Sequence, residues 1–149
     1  MAKRILLPLD RSVLAESLIP VVSDAARGGG ATVRLLYVAP EPQTRVNEAG
    51  AVVAYADQEM ERLEAEGLDY LRTVEARFDG ADVECAVRFG DPLSEILREA
   101  EAFGADLIAV TTAGRSGMGR ALLGSVAEQV FRRAGAPVML LRPGRHGGV

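Results

Sequence analysis

The chain has 149 residues, 48% of them apolar and 26% charged, with a formal net charge of −4. That length suits one domain whose core needs no metal or disulfide staple, and the acidic balance argues against a nucleic-acid surface, which carries a basic face. Cys85 is the only cysteine, which excludes an intrachain disulfide and fits a reducing compartment; with apolar runs too short for a membrane span and Met1 to Arg4 leading straight into a strand, a cytoplasmic location is expected.

Lys3 to Leu9 contains Ile5-Leu6-Leu7-Pro8-Leu9, an almost unbroken apolar run of the kind a parallel strand shows when both its faces are covered. Asp10 ends it. Ser12 then reads as the N-cap of a helix with an apolar stripe at Leu14, Leu18, Val21, Val22 and Ala25, which Pro20 should bend or shorten before Gly28-Gly29-Gly30 stops it. Thr32 to Val38 is rich in β-formers and gives the second strand. From Pro40 to about Val53 no periodicity is visible, which leaves a surface connection or a flap over a ligand.

Tyr55 to Phe78 places Met60, Leu63, Gly67, Leu71, Val74 and Phe78 on one stripe, predicting a long amphipathic helix with a solvated charged face. Asp82 to Phe89 alternates Val83, Cys85, Val87 and Phe89, a half-exposed strand expected at a sheet edge, with Cys85 a buried structural thiol. Asp91 caps the next helix, Pro92 fills its first position, and Leu93, Ile96, Leu97 and Ala100 form the predicted inner face up to Gly104.

Leu107 to Val110 is the fourth strand. A loop with Gly114, Gly117 and Gly119 follows, and Gly124-Ser125 opens a helix with Val126, Val130 and Phe131 at helical spacing, running to about Ala134. Ala136 to Leu141 is the last strand, and residues 144–149 form a Gly-rich tail beyond a single domain at 1–143. Five strands separated mostly by helices imply right-handed crossovers and a parallel sheet with helices on both faces, an α/β fold.

The strand, glycine loop and helix start after Leu107 suit an anion. Glycines let the backbone come close, and the first N–H groups of a helix point outward with the positive end of its dipole. The natural guest is a phosphate. The Ser125 hydroxyl can cap the helix or bond a phosphate oxygen. Arg115 and Arg120 are either solvated or add charge beside the cradle.

Other chemistries fail on residues. Lys3 is the only lysine, so no Walker lysine can follow a phosphate loop. Gly117-x-Gly119 lacks the third glycine of a dinucleotide fingerprint and follows the fourth strand. His146 is the sole histidine and lies in the tail, which leaves Ser116 and Ser125 without a base and offers no protein-only metal site.

Gly114, nine residues, then Gly124-Ser125 resembles the end of the Gly-x2-Gly-x9-Gly-Ser/Thr nucleotide motif of the universal stress protein family, and the resemblance spans nearly the whole chain. The pattern's first glycine falls on Thr111, and Ala113 stands where many members carry histidine. The resemblance implies a Rossmann-like, adenine-nucleotide-binding sheet of order 3-2-1-4-5. The first and fourth strands are then neighbours, and their connections leave in opposite directions to make a ligand crevice. Asp10 matches the family's acidic residue near base and sugar, although a carboxylate there can also bond the start of the first helix; Val38 matches a position lining the adenine pocket.

The expected cofactor set is Pro8, Leu9, Asp10, Val38, Val110, Thr111, Gly114, Arg115, Gly117, Gly124, Ser125 and Val126. ATP, or ADP or AMP, is the implied ligand, with Mg2+ possible across the phosphates of a triphosphate. The expected role is a nucleotide-dependent signalling module, the alternatives a nucleotide-free dimeric interaction module or a slow ATPase. A homodimer through Val138 to Leu141, with no nucleic acid and no membrane, completes the reading, because an apolar edge strand is seldom left unpaired.

Overall fold

The computed structural model describes residues 2–43, 45–111 and 123–141. Among them the chain runs β1 (Arg4–Leu9), α1 (Val13–Glu16), α2 (Ile19–Gly29), β2 (Thr32–Ala39), β3 (Arg45–Val46), β4 (Val52–Ala54), α3 (Ala56–Glu75), β5 (Asp82–Phe89), α4 (Pro92–Phe103), β6 (Leu107–Thr111), α5 (Leu123–Arg133) and β7 (Val138–Leu141). The main sheet is parallel, in the order β5-β2-β1-β6-β7. With its five strands counted in chain order, this is the expected 3-2-1-4-5. The Gly-rich loop residues Gly114, Arg115, Ser116, Gly117, Gly119 and Arg120, together with His146 and the tail at 144–149, lie outside the described residues.

Alternation along β1 divides the core in two. Ile5, Leu7 and Leu9 face a cluster with Leu18 at the start of α2, Ile19 and Val22 within it, and Leu71 and Val74 from α3, while Leu6 faces one with Ile96, Ala100, Phe103, Ala127 and Val130 from α4 and α5. Period-two geometry makes both faces apolar, which is why this central strand reads as a continuous apolar run. Burying one such aliphatic side chain contributes about 1.5–3 kcal/mol, so the row of fully buried residues along β1 and β2 dominates stability.

Pro20 breaks the first predicted helix in two. α1 ends at Glu16, and α2 starts at Ile19 with the proline in its first turn, where the missing N–H costs nothing. The break also resets the helical phase: Ile19, Val22, Ser23 and Ala26 point inward, whereas Val21 and Ala25, expected on the stripe, are exposed. The segment after Pro40 is no featureless connection, because β3 and β4 pair antiparallel around a turn in which Asn47 Oδ1 accepts the N–H groups of Ala49 and Ala51.

α3 lies against β2 and β5 with Gly67, Leu71 and Val74 buried beneath it. Gly67 sets the closeness of that contact: a Cβ there would sit 3.0 Å from both Tyr37 Cδ2 and Val87 Cγ2. β5 is an edge strand as expected, and charges on its outward positions guard it.

Candidate functional site

A cavity of about 530 Å³ opens at the carboxyl ends of β1, β2 and β6, the point where the sheet order reverses. Its walls are Pro8, Leu9 and Asp10 from β1 and its exit, Ala15 from α1, Leu36, Tyr37 and Val38 from β2 and Pro40 just after it, Pro92 and Ile96 from α4, Val110 and Thr111 from β6, and Val126 and Ala127 from α5. Pro8 helps explain why the sheet parts here. The β1–β6 ladder pairs Ile5 with Leu107 and Leu6 with Ile108 and goes no further. A proline has no N–H to extend it, so the two strands diverge into a crevice beyond that point.

The turn after Asp10 is unusual. Arg11 has φ +68, the only positive φ among described residues other than glycine, a conformation that costs about 1–3 kcal/mol unless its surroundings hold it. They do. The Arg11 guanidinium stacks over the ring of Tyr37 at 4.9 Å and that of Tyr70 at 5.5 Å, and the two rings meet edge to face at 6.1 Å. Asp10 Oδ1 accepts the Ser12 N–H at 3.1 Å, and Ser12 Oγ accepts the Ala15 N–H at 3.0 Å, capping α1. Asp10 therefore both shapes the turn at the start of α1 and lines the cavity.

α4 enters the wall through a firm start. Asp91 accepts the N–H and hydroxyl of Ser94, each at 3.0 Å, and these bonds hold its carboxyl below the usual carboxylate range. Its inner face is only partly the predicted one: Ile96 and Ala100 are buried with Phe103, but Glu95 and Glu99 also turn inward. Glu99 Oε2 takes Arg34 Nη1 at 2.7 Å, Glu99 Oε1 takes Arg88 Nε at 2.5 Å, and Glu95 bonds Arg88 and Arg98. Burial works to raise the pKa of Glu99, yet the two guanidinium groups outweigh it and hold the acid ionised below its ordinary range.

α5 begins at Leu123. Gly124 and Ser125 consequently fall in its first turn, with Ser125 the third helical residue and not the cap, one of the two roles its hydroxyl was open to. Their amides belong to the set that has no partner within the helix. Phe131, expected inside, is 56% exposed, and Ala127 and Val130 take the inward positions.

Of the twelve expected site residues, Pro8, Leu9, Asp10, Val38, Val110, Thr111 and Val126 come together around the cavity. Gly124 and Ser125 are in the helix whose next residues line it. Gly114, Arg115 and Gly117 lie outside the described residues. Sequence reasoning missed Ala15, Leu36, Tyr37, Pro40, Pro92, Ile96 and Ala127. A usable signal existed: in an open α/β sheet, the last residues of the strands beside the switch point and the first turns of the helices after them converge.

An open, doubly wound α/β protein with an apolar hollow at its switch point is the class these features define. The chain belongs to the universal stress protein family, whose model matches residues 1–142. It is 31% identical over 144 residues to universal stress protein MJ0531 of Methanocaldococcus jannaschii, a match covering 94% of this chain and 82% of the relative. The structure of protein MJ0577 from that organism superposes with a TM-score of 0.77 at 27% identity, covering 96% of this chain and 97% of that one. At lower identity, a universal stress protein in complex with cAMP matches with TM-score 0.64 at 19% identity, covering 96% of this chain and 99% of that one. A family member from Arabidopsis thaliana with AMP bound matches with TM-score 0.56 at 14% identity, covering 99% and 95%.

Proposed function

We propose that this protein binds ATP or a related adenine nucleotide in the crevice between β1 and β6, as a cytoplasmic regulatory module whose occupancy is the signal. The observation that carries the reading is the cavity itself. Its 530 Å³ falls in the range of about 300–1,000 Å³ typical of small-molecule sites, and among the described residues its largely apolar walls carry one carboxylate, Asp10. A base fits between Val38, Ile96 and Val110, Asp10 accepts from base or sugar, and the first-turn amides of Gly124 and Ser125 receive phosphate. Two proteins of this fold hold cAMP and AMP, which makes adenine nucleotides the first ligands to test.

Gly114, Arg115 and Gly117 complete the proposed cradle, and Mg2+ bridging the phosphates accompanies a triphosphate. No cluster of metal-ligating side chains occurs among the described residues, so such an ion would depend on phosphate oxygens. No helix among those residues is long and apolar enough to cross a membrane. The proposed dimer pairs β7 with its twin: this strand is the sheet's other edge, and Leu140 on it is partly exposed.

Thermal denaturation and calorimetric titration with ATP, ADP, AMP and cAMP test the proposal. At a ligand concentration of 100 Kd, binding contributes about 2.7 kcal/mol, several degrees in Tm for a chain of this size. No stabilisation by any of the four at millimolar concentration sinks it. Thr111 in place of the motif's first glycine favours the second reading, a nucleotide-free dimeric module. Gly114→Val separates the two, abolishing ligand-dependent stabilisation under the first and leaving dimerisation intact under the second. A slow ATPase requires phosphate release above that of a Gly124 variant.

A further inference from the structure

Tyr70 lies on α3, away from the cavity walls, yet it is tied to the turn that carries Asp10. Its hydroxyl donates to Glu16 Oε2 at 2.5 Å, and Glu16 Oε1 in turn accepts Arg77 Nη1 at 3.0 Å. The Arg11 guanidinium stacks on the Tyr70 and Tyr37 rings. Burial, then Glu16, pushes the phenol well above its ordinary range, so the hydroxyl stays protonated and remains a donor.

Two rings hold the Arg11 side chain, and Tyr70 is the one that also ties the turn to Glu16 and α3. If Arg11 relaxed to negative φ, the peptide on either side would rotate. The Asp10 carboxylate would turn with it and lose the Ser12 amide it now holds.

We propose that Tyr70 is a positioning residue for the ligand site: with Tyr37 it clamps Arg11 in the left-handed conformation and thereby aims Asp10 into the crevice. The clamp couples α3 to ligand affinity although α3 contributes no residue to the cavity wall. This inference rests on the nucleotide reading above, and it adds a determinant that the glycine motif does not contain.

The test combines two measurements on wild type, Tyr70→Phe, Tyr70→Leu, Asp10→Ala and the double variant Tyr70→Leu/Asp10→Ala. Hydrogen exchange without ligand reads the clamp directly. Tyr70→Leu should speed exchange at the Ser12 amide, which Asp10 holds, on the order of tenfold while β1 and β2 stay protected, with Tyr70→Phe intermediate because it keeps the ring. Unchanged exchange at the Ser12 amide in Tyr70→Leu overturns the clamp, whether or not nucleotide binds.

Titration with ATP reads the consequence. Tyr70→Leu should weaken binding on the order of tenfold in the wild-type background and about onefold in Asp10→Ala, because the carboxylate it aims is then gone. Equal losses in both backgrounds would mean a merely structural effect and would overturn the positioning role. A wild type that binds no nucleotide overturns the ligand reading itself, and that failure is distinct because the exchange result stands apart from it.

Discussion

Gly67 offers the most direct check on how the site is built, because opposing effects of similar size meet there. Replacing glycine by alanine inside a helix stabilises it by about 1 kcal/mol through backbone entropy. At this position the new methyl lands 3.0 Å from both Tyr37 Cδ2 and Val87 Cγ2, tighter than ordinary van der Waals contact by several tenths of an ångström on two sides at once. Val87 is held by the sheet, and Tyr37 is held by Arg11 and Tyr70, so neither neighbour yields freely. Overpacking of this kind costs about 1–3 kcal/mol.

The steric cost wins. Gly67→Ala should destabilise by about 1 kcal/mol net, a fall of roughly 2–4 °C in Tm, and Gly67→Val, with two further carbons and a branched Cβ, by about 3 kcal/mol. Urea denaturation with the slope held constant measures both. Because the ring that must move is Tyr37, which lines the cavity and supports Arg11, ATP affinity should fall together with stability in Gly67→Ala. An alanine variant more stable than wild type by the full helix gain would refute the close approach of α3 to the sheet and the rigidity assigned to Tyr37.

Three further outcomes are expected. Ile96→Trp places an indole in the cavity wall and should remove nucleotide-dependent thermal stabilisation without changing helix content, read by thermal shift and circular dichroism. Glu99→Gln leaves Arg34 and Arg88 without their shared buried partner; the two guanidinium groups keep some contact with water, so the loss should be about 2–3 kcal/mol at pH 7, below the 3–5 kcal/mol of a fully buried pair. Since the acid's pKa is depressed in the fold, its contribution is present above about pH 4.5 and drains away as pH falls through the lower folded value, so wild type and variant should converge in acid denaturation. Burial, aided by Glu75, pushes the Cys85 thiol up to about 11; the thiolate becomes about a hundredfold scarcer at pH 8 but also more nucleophilic, so reaction with a disulfide reagent should run at least about tenfold slower in native protein than in urea.

What the sequence disclosed and what it hid divide along a physical line. β1 was legible because a strand covered on both faces must be apolar at every position, and α4 was legible because Asp91, Pro92 and Gly104 act locally as cap, first residue and stop. Glu95 and Glu99 were not, since a stripe analysis sends acids to water and only the fold brings Arg34 and Arg88 from two other strands beneath them. Val21 and Phe131 were assigned inward for a related reason: a periodicity carries no record of where a helix restarts or which of two adjacent apolar residues meets the sheet. β3 and β4 are too short to show any period at all.

The site follows the same division. Val38 was placed by the family resemblance alone, and Val110 and Thr111 by the strand order that resemblance implies, because strand ends at a switch point converge; the glycine spacing marked the neighbouring helix start. Tyr37 and Tyr70 could not, because aromatic residues in a strand and on a helical stripe read as core. What makes them functional candidates is the left-handed turn at Arg11, a single backbone angle that no composition or period encodes. The crevice exists because β1 stops pairing with β6 near Pro8. Immediately after that point the chain is pinned by Asp10 on the Ser12 amide and by two rings on Arg11, Tyr37 from β2 and Tyr70 from α3, the latter on the opposite side of the sheet from α4 and α5.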